Sequence, residues 1–157
     1  MNLDQIEKEV FIRKGKYGNS KFLNNLVHEI EYSMLLFDEF PEEVFNFYLR
    51  VLSDTDLRVT KGVEWVVHHL YSDFKKIKAE QFIQLKEVLI KTSNHKMTDE
   101  LRFVILDLFL RKFNYQDMRD MKKIAKGLNF SAEDNDIVYA IEEMIQRYKL
   151  GLMKDIN

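Results

Sequence analysis

The chain has 157 residues, 46% apolar, 13% aromatic and 32% charged, with 24 basic against 26 acidic groups for a net charge of −2. One proline, five glycines and no cysteine exclude a disulfide scaffold, every thiolate metal site and a cysteine nucleophile, and the apolar fraction excludes a disordered chain. The length suits a single helical domain, 1–157, with a full core. No apolar run approaches the roughly 18 residues of a membrane span, and Met1-Asn2-Leu3-Asp4-Gln5 lacks the basic-then-apolar order of a signal peptide. These point to a soluble, cytoplasmic protein with no membrane partner.

Apolar residues recur at helical spacing, and the strict alternation of strands is missing. A first helix covers about 2–12 and is broken by Arg13-Lys14-Gly15-Lys16-Tyr17-Gly18-Asn19. A second starts with Ser20 as its N-cap, and Phe22, Leu23, Leu26, Val27, Ile30, Met34 and Phe37 form its apolar stripe. Pro41 opens a third at the first helical position, with Glu42 and Glu43 in the first turn. Ser53-Asp54-Thr55-Asp56 is a turn, and a fourth helix follows directly to about Phe74. A fifth spans about 79–92. Thr98 caps a sixth at about 99–113. A seventh runs over about 115–126 to Gly127, and an eighth from Ser131 to about Leu150.

The last six helices fall into three hairpins over 41–150, behind N-terminal helices in 1–40. Their first helices begin near Glu42, Glu80 and Gln116. In the second helices Val66, Ile105 and Ile141 coincide, as do Leu70, Phe109 and Ile145. Paired helices at a fixed period that must stack to bury their apolar faces are the mark of an α-solenoid. The expected fold is therefore all-α, a short solenoid of about eight helices. The spacing leaves open whether the first two helices continue the array. The sixth helix, apolar on nearly every side, is expected to be enclosed all round.

Charge is uneven. Residues 29–56 carry eight acidic groups against Arg50 alone, a local net of −7. A field of that sign steers basic partners and repels nucleic acid, although acids in first turns also suit the helix dipole.

The chemistry of sites gives little. His28, His68, His69 and His95 lack the paired Glu-x-x-His units of di-metal bundles, and His68 and His69 read as a partly exposed helix edge. No arginine precedes a histidine at the spacing of helical RNases. Gly15-Lys16-Tyr17-Gly18-Asn19-Ser20-Lys21 lacks the order of a phosphate loop, and no Gly-x-Ser-x-Gly elbow occurs. No catalytic residue, metal, cofactor or small-molecule substrate is expected. Arg111, Lys112, Lys122, Lys123 and Lys126 form a small basic stripe, which makes a nucleic-acid-binding helical repeat an alternative that the acidic balance disfavours.

A protein-binding surface fits better. Glu39, Glu42, Glu43, Asp54, Asp56, Glu64, Trp65 and His68 are the expected partner-binding residues: acids for capture and the single tryptophan as anchor. The degenerate hairpins, the repeat start Pro41-Glu42-Glu43-Val44 and the acidic surface resemble a short HEAT-like array. They are similar, over about 20–150 and in architecture alone, to the helical immunity proteins of bacterial contact-dependent inhibition and other polymorphic-toxin systems. That resemblance implies a cytosolic antidote that binds a basic, nuclease-like toxin domain. A helical adaptor or regulatory subunit is the alternative within the same class.

Overall fold

The computed structural model describes residues 2–14, 16, 18–93, 95–120 and 135–152. The chain is all-α, and among the described residues there is no strand. The helices are α1 (Leu3–Ile12), α2 (Asn19–Ser33), α3 (Glu42–Ser53), α4 (Glu64–Ser72), α5 (Ala79–Thr92) and α6 (Asp99–Lys112), then α7 (115–120) and α8 (Asn135–Lys149). Short 3-10 turns at Leu57–Val59 and Phe74–Lys76 join α3 to α4 and α4 to α5.

The chain divides into two compact units, 1–104 and 105–157, the boundary falling within α6. In the first unit α1 packs on α3 and α3 on α5, while α2 packs on α4. First helices thus stack on first helices and second on second, the two-layer arrangement of a solenoid. The starts of α1, α3, α5 and α7, at 3, 42, 79 and 115, lie 39, 37 and 36 residues apart. The array therefore takes in α1 and α2, a point the sequence spacing leaves open.

Local chemistry sets the helix ends. Asn2 Oδ1 accepts from Gln5 N at 3.4 Å, and Thr98 Oγ1 from Leu101 N at 3.2 Å, as expected of a Thr98 cap. Gln81 reaches back to the Lys78 N–H at 3.1 Å. In α3, Glu42 and Glu43 sit at the positive end of the dipole and Arg50 at the negative end.

Three expectations about boundaries are corrected. Ser20 is not the cap of α2: the helix begins at Asn19, behind Gly18 at φ +81°. Pro41 stands one position earlier than expected, as the N-cap residue with ψ 134°. The helix expected after Asp56 is delayed to Glu64. The chain first makes the 3-10 turn and then passes Gly62 at φ +106°, which no helix accommodates.

Phe40, Phe45, Phe47, Tyr48, Val51, Leu52, Val66, Val67 and Leu70 form the centre of the first unit with Leu23, Ile30, Leu85 and Leu89. Each such side chain contributes about 1.5–3 kcal/mol by burial. The repeat positions agree: Val66, Ile105, Leu70, Phe109 and Ile145 are all buried. The side chain of Ile141, like Gly127 and Ser131, lies outside the described residues. The sixth helix is not enclosed all round, because Phe103 is about half exposed, at 48%. In the second unit Phe109 stacks on Phe113 at 4.2 Å, and Tyr115 of α7 lies parallel to Tyr148 of α8 at 4.6 Å.

Among the described residues the largest fully buried side chain is Arg58. Its Nη1 donates to the carbonyl of Thr92, the last residue of α5, and its own carbonyl accepts from Thr98 N at 3.0 Å. The guanidinium thereby sits at the negative end of α5 and ties the α3–α4 connection to the α5–α6 connection. Its Nε and Nη2 find no acceptor among the described residues. Burial pushes its ionisation down to about 10.

Candidate functional site

The expected partner-binding acids occupy separate places along α3 and beside it. Glu42 and Glu43 are exposed in its first turn, Glu43 next to the Glu7–Arg50 pair that links α1 to α3 at 2.5 and 2.7 Å. Glu39, just before the helix, pairs with Lys78 at 2.9 Å. That bond raises the lysine's ionisation. Asp54 and Asp56 follow the far end, about 18 Å away along a helix of this length.

Asp54 is largely a structural group. Its Oδ1 accepts from the N–H groups of Asp56 and Leu57 at 3.0 and 2.9 Å, and its Oδ2 pairs with Lys14. Burial pushes this carboxyl up. The Lys14 bond and the two N–H donors outweigh it and hold the group below its ordinary range. Asp56 is exposed, 4.0 Å from Lys14.

Glu64, Trp65 and His68 do come together at the start of α4. Glu64 Oε2 accepts from Gly62 N at 2.8 Å, which leaves its other oxygen for solvent or a partner. Trp65 is 37% exposed and stands between two imidazoles, His68 at 5.4 Å and His28 of α2 at 5.8 Å between ring centroids. His28 leads to Glu31, 3.5 Å away. An open groove of about 570 Å³ then runs along α2 past Glu29, Tyr32 and Leu35.

The end of this groove carries what the sequence pattern hides. Tyr32 is 78% exposed, Leu35 65%, Leu36 96% and Phe37 51%. Phe37 was expected in the buried stripe of the second helix. That helix ends at Ser33 with Met34 as its cap, so Phe37 no longer keeps helical phase and turns outward. Four large apolar side chains exposed within six residues are unusual on a surface that meets only water.

The backbone beneath them is fixed. Met34 is buried and its carbonyl accepts from Lys76 Nζ at 3.2 Å. Phe40 N donates to the Lys76 carbonyl at 2.8 Å, and Gln81 Nε2 donates to the Phe40 carbonyl at 3.0 Å.

One expectation about the histidines is overturned. His68 is exposed, but His69 is buried, at 1% exposure. Position 69 lies with Val66 and Leu70 on the core side of α4. The Tyr48 hydroxyl and His69 Nδ1 are 2.7 Å apart, and His69 Nε2 lies 3.3 Å from Asp73 Oδ2, which also meets Lys76 at 3.1 Å. Phe40 closes over both rings. Burial raises the Tyr48 hydroxyl's ionisation, reinforced by the charges of Glu31 and Asp73. Tyr48 and His69 are sealed from solvent while Asp73 and Lys76 are partly exposed at the edge, and the network serves the core. Among the described residues no group of three His, Asp or Glu is arranged to hold a metal. Arg111, of the basic stripe, pairs with Asp107 at 2.8 Å, and Lys122, Lys123 and Lys126 lie outside the described residues.

Comparison with known proteins is sparse. No family model matches the chain, and no solved structure matches it. The chain is similar to dynein heavy chain-like protein 2 of Plasmodium falciparum, 29% identical over 140 residues. The match takes in 84% of this chain but spans only 2% of that protein's length.

The buried histidine makes acid lability an expected result. Burial lowers the His69 ionisation, against the charges of Glu31 and Asp73, which raise it, and with Lys76, which lowers it further. The unfolded chain therefore takes up a proton near pH 6.5 that the folded chain resists. Stability is full above that pH. It declines as pH falls through the interval down to the folded value, by up to about 1.4 kcal/mol per pH unit. Urea midpoints between pH 7.5 and 5 should fall in the wild type and fall less in His69→Gln. Equal slopes would show that another group governs the acid limb.

Proposed function

We propose that this protein is a non-enzymatic binding module that captures another protein through the α2–α4 surface, and that it acts as an immunity protein neutralising a basic, nuclease-like toxin domain in the cytosol. The observation that carries the reading is the joining of an exposed aromatic cluster, Trp65 between His28 and His68, to a run of exposed apolar side chains rimmed by acids. Tryptophan and tyrosine anchors within an acidic rim are the combination that gives fast capture and slow release. The HEAT-like array of hairpins supports it by offering the extended faces such arrays use to grasp proteins. No helix among the described residues is long and apolar enough to cross a membrane.

The test is to co-express the tagged chain with the C-terminal region of the product encoded immediately upstream of its gene. A 1:1 complex, with the upstream fragment toxic when expressed alone, is the expected result. No complex and a harmless upstream product would overturn the toxin-neutralising reading. In that complex Trp65→Ala should weaken binding about 30-fold or more, while charge reversal of Glu64 together with Glu42 should chiefly slow association. Both variants should keep a cooperative urea transition, the Glu64 change at some cost in stability because Glu64 Oε2 accepts from Gly62 N. The likeness to a stretch of a dynein heavy chain-like protein favours a second reading, a helical adaptor or regulatory module. It predicts a protein partner but no toxin beside the gene.

A further inference from the structure

We infer that the groove along α2, together with the apolar turn that closes it, is a seat for a basic amphipathic helix presented by the partner. The inference rests on the protein-binding reading above and specifies the chemistry of what is bound.

The first part of the argument is charge. No lysine or arginine occurs between Phe22 and Leu49. Two lysines approach from the α4–α5 connection, and both are engaged: Lys76 with Asp73 and the Met34 carbonyl, Lys78 with Glu39. Glu29 and Asp38 are exposed, and Glu31 lies 3.5 Å from His28 Nδ1. Among the described residues no lysine or arginine pairs with Glu29, Glu31 or Asp38, so the rim of the groove is acidic. That excludes anionic lipid and nucleic acid as occupants and selects a cationic one.

The second part is shape and apolarity. Tyr32 and Leu35 line this shallow, open groove, and Leu36 and Phe37 project beyond them from a turn held at both ends. A pinned turn presents these side chains with little ordering cost on binding. An amphipathic helix places apolar residues at i, i+3, i+4 and i+7 with cations on either side of the stripe. Laid in the groove, the stripe meets Tyr32, Leu35 and Leu36 while the flanking cations meet Glu29, Glu31 and Asp38.

Trp65 supplies the readout. It is the single tryptophan of the chain, partly exposed, and it reaches the groove through His28. A tryptophan-free Lys/Leu helix of about 18 residues, roughly 27 Å long, is titrated into the full protein while Trp65 emission is followed. A saturable 1:1 blue shift is expected. Its affinity should fall tenfold or more in Leu35→Ser/Leu36→Ser and likewise in Glu29→Lys/Asp38→Lys. It should be unchanged in Glu87→Lys, an exposed position of α5.

A Glu/Leu helix that binds as well, or leucine variants that bind undiminished, would overturn the proposal. So would concentration-dependent dimers, seen by sedimentation and abolished by Leu36→Ser, which would assign the face to a second copy of this chain. The partner complex separates this proposal from the reading it rests on. A complex that forms with undiminished affinity in the groove variants removes the groove and keeps the partner. A harmless upstream product beside clear Lys/Leu binding keeps the groove and removes the toxin.

Discussion

Gly62→Ala is expected to cost about 2–5 kcal/mol, the sum of a left-handed backbone strain of about 1–2 and an overpacking cost of about 1–3. Gly62 stands at φ +106° where the chain turns into α4, and a Cβ there would meet Ser20 Cα and O at 3.0 Å and Leu23 Cβ at 3.2 Å. Two of those three atoms are backbone, so the close approach of α2 to the start of α4 leaves nothing flexible to give way. Gly18 is the internal control. It has φ +81° but opens onto free space, and Gly18→Ala should cost only the strain, about 1–2 kcal/mol. Urea denaturation of both variants measures the difference. Equal costs would show that the contact between α2 and α4 is not what requires the glycine.

Arg58 gives two substitutions of opposite sign. Arg58→Met should stabilise the protein by about 1–3 kcal/mol, because it removes a buried charge that has no carboxylate partner among the described residues and keeps most of the volume. The depression of its ionisation to about 10 expresses the same cost of desolvation. The Thr92 carbonyl is not orphaned by the change, since it also accepts from His95 N at 3.0 Å. Arg58→Ala should instead destabilise by about 2–4 kcal/mol, since it empties the volume of the largest buried side chain. A destabilised methionine variant would show that the guanidinium's hold on the end of α5 outweighs its desolvation.

The sequence pattern carries the all-α class, the helical hairpins and most helix starts, because those depend on periodicity and on local capping groups such as Thr98. It misplaces what depends on where a helix stops. The apolar spacing Ile30, Met34, Phe37 continues in phase past Ser33, but the backbone does not. The exposed strip at 32–37 therefore reads as core. His68 and His69 look alike as neighbours in sequence, and a 100° step around α4 separates solvent from the Tyr48 hydroxyl. Arg58 is invisible for a related reason: nothing in Asp56-Leu57-Arg58-Val59 announces that the turn is driven under the α5–α6 connection. Of the expected site, Glu64, Trp65 and His68 are brought together. The remaining acids are divided between the two ends of α3, because summing charge over residues 29–56 ignores the length of the helix between them.

The bonds from Phe40 to Lys76 and from Gln81 to Phe40 have a thermodynamic consequence. They fasten the turn that displays Leu36 to the first residues of the next hairpin, so the turn cannot open without loosening the docking of α5. Local opening there becomes part of a larger cooperative unit. An occupant seated on Leu36 would then slow amide exchange in α3 and α5, helices that it does not touch. Conversely, a cavity introduced at Leu85 would weaken capture at a distance by raising the population of molecules whose display turn is released.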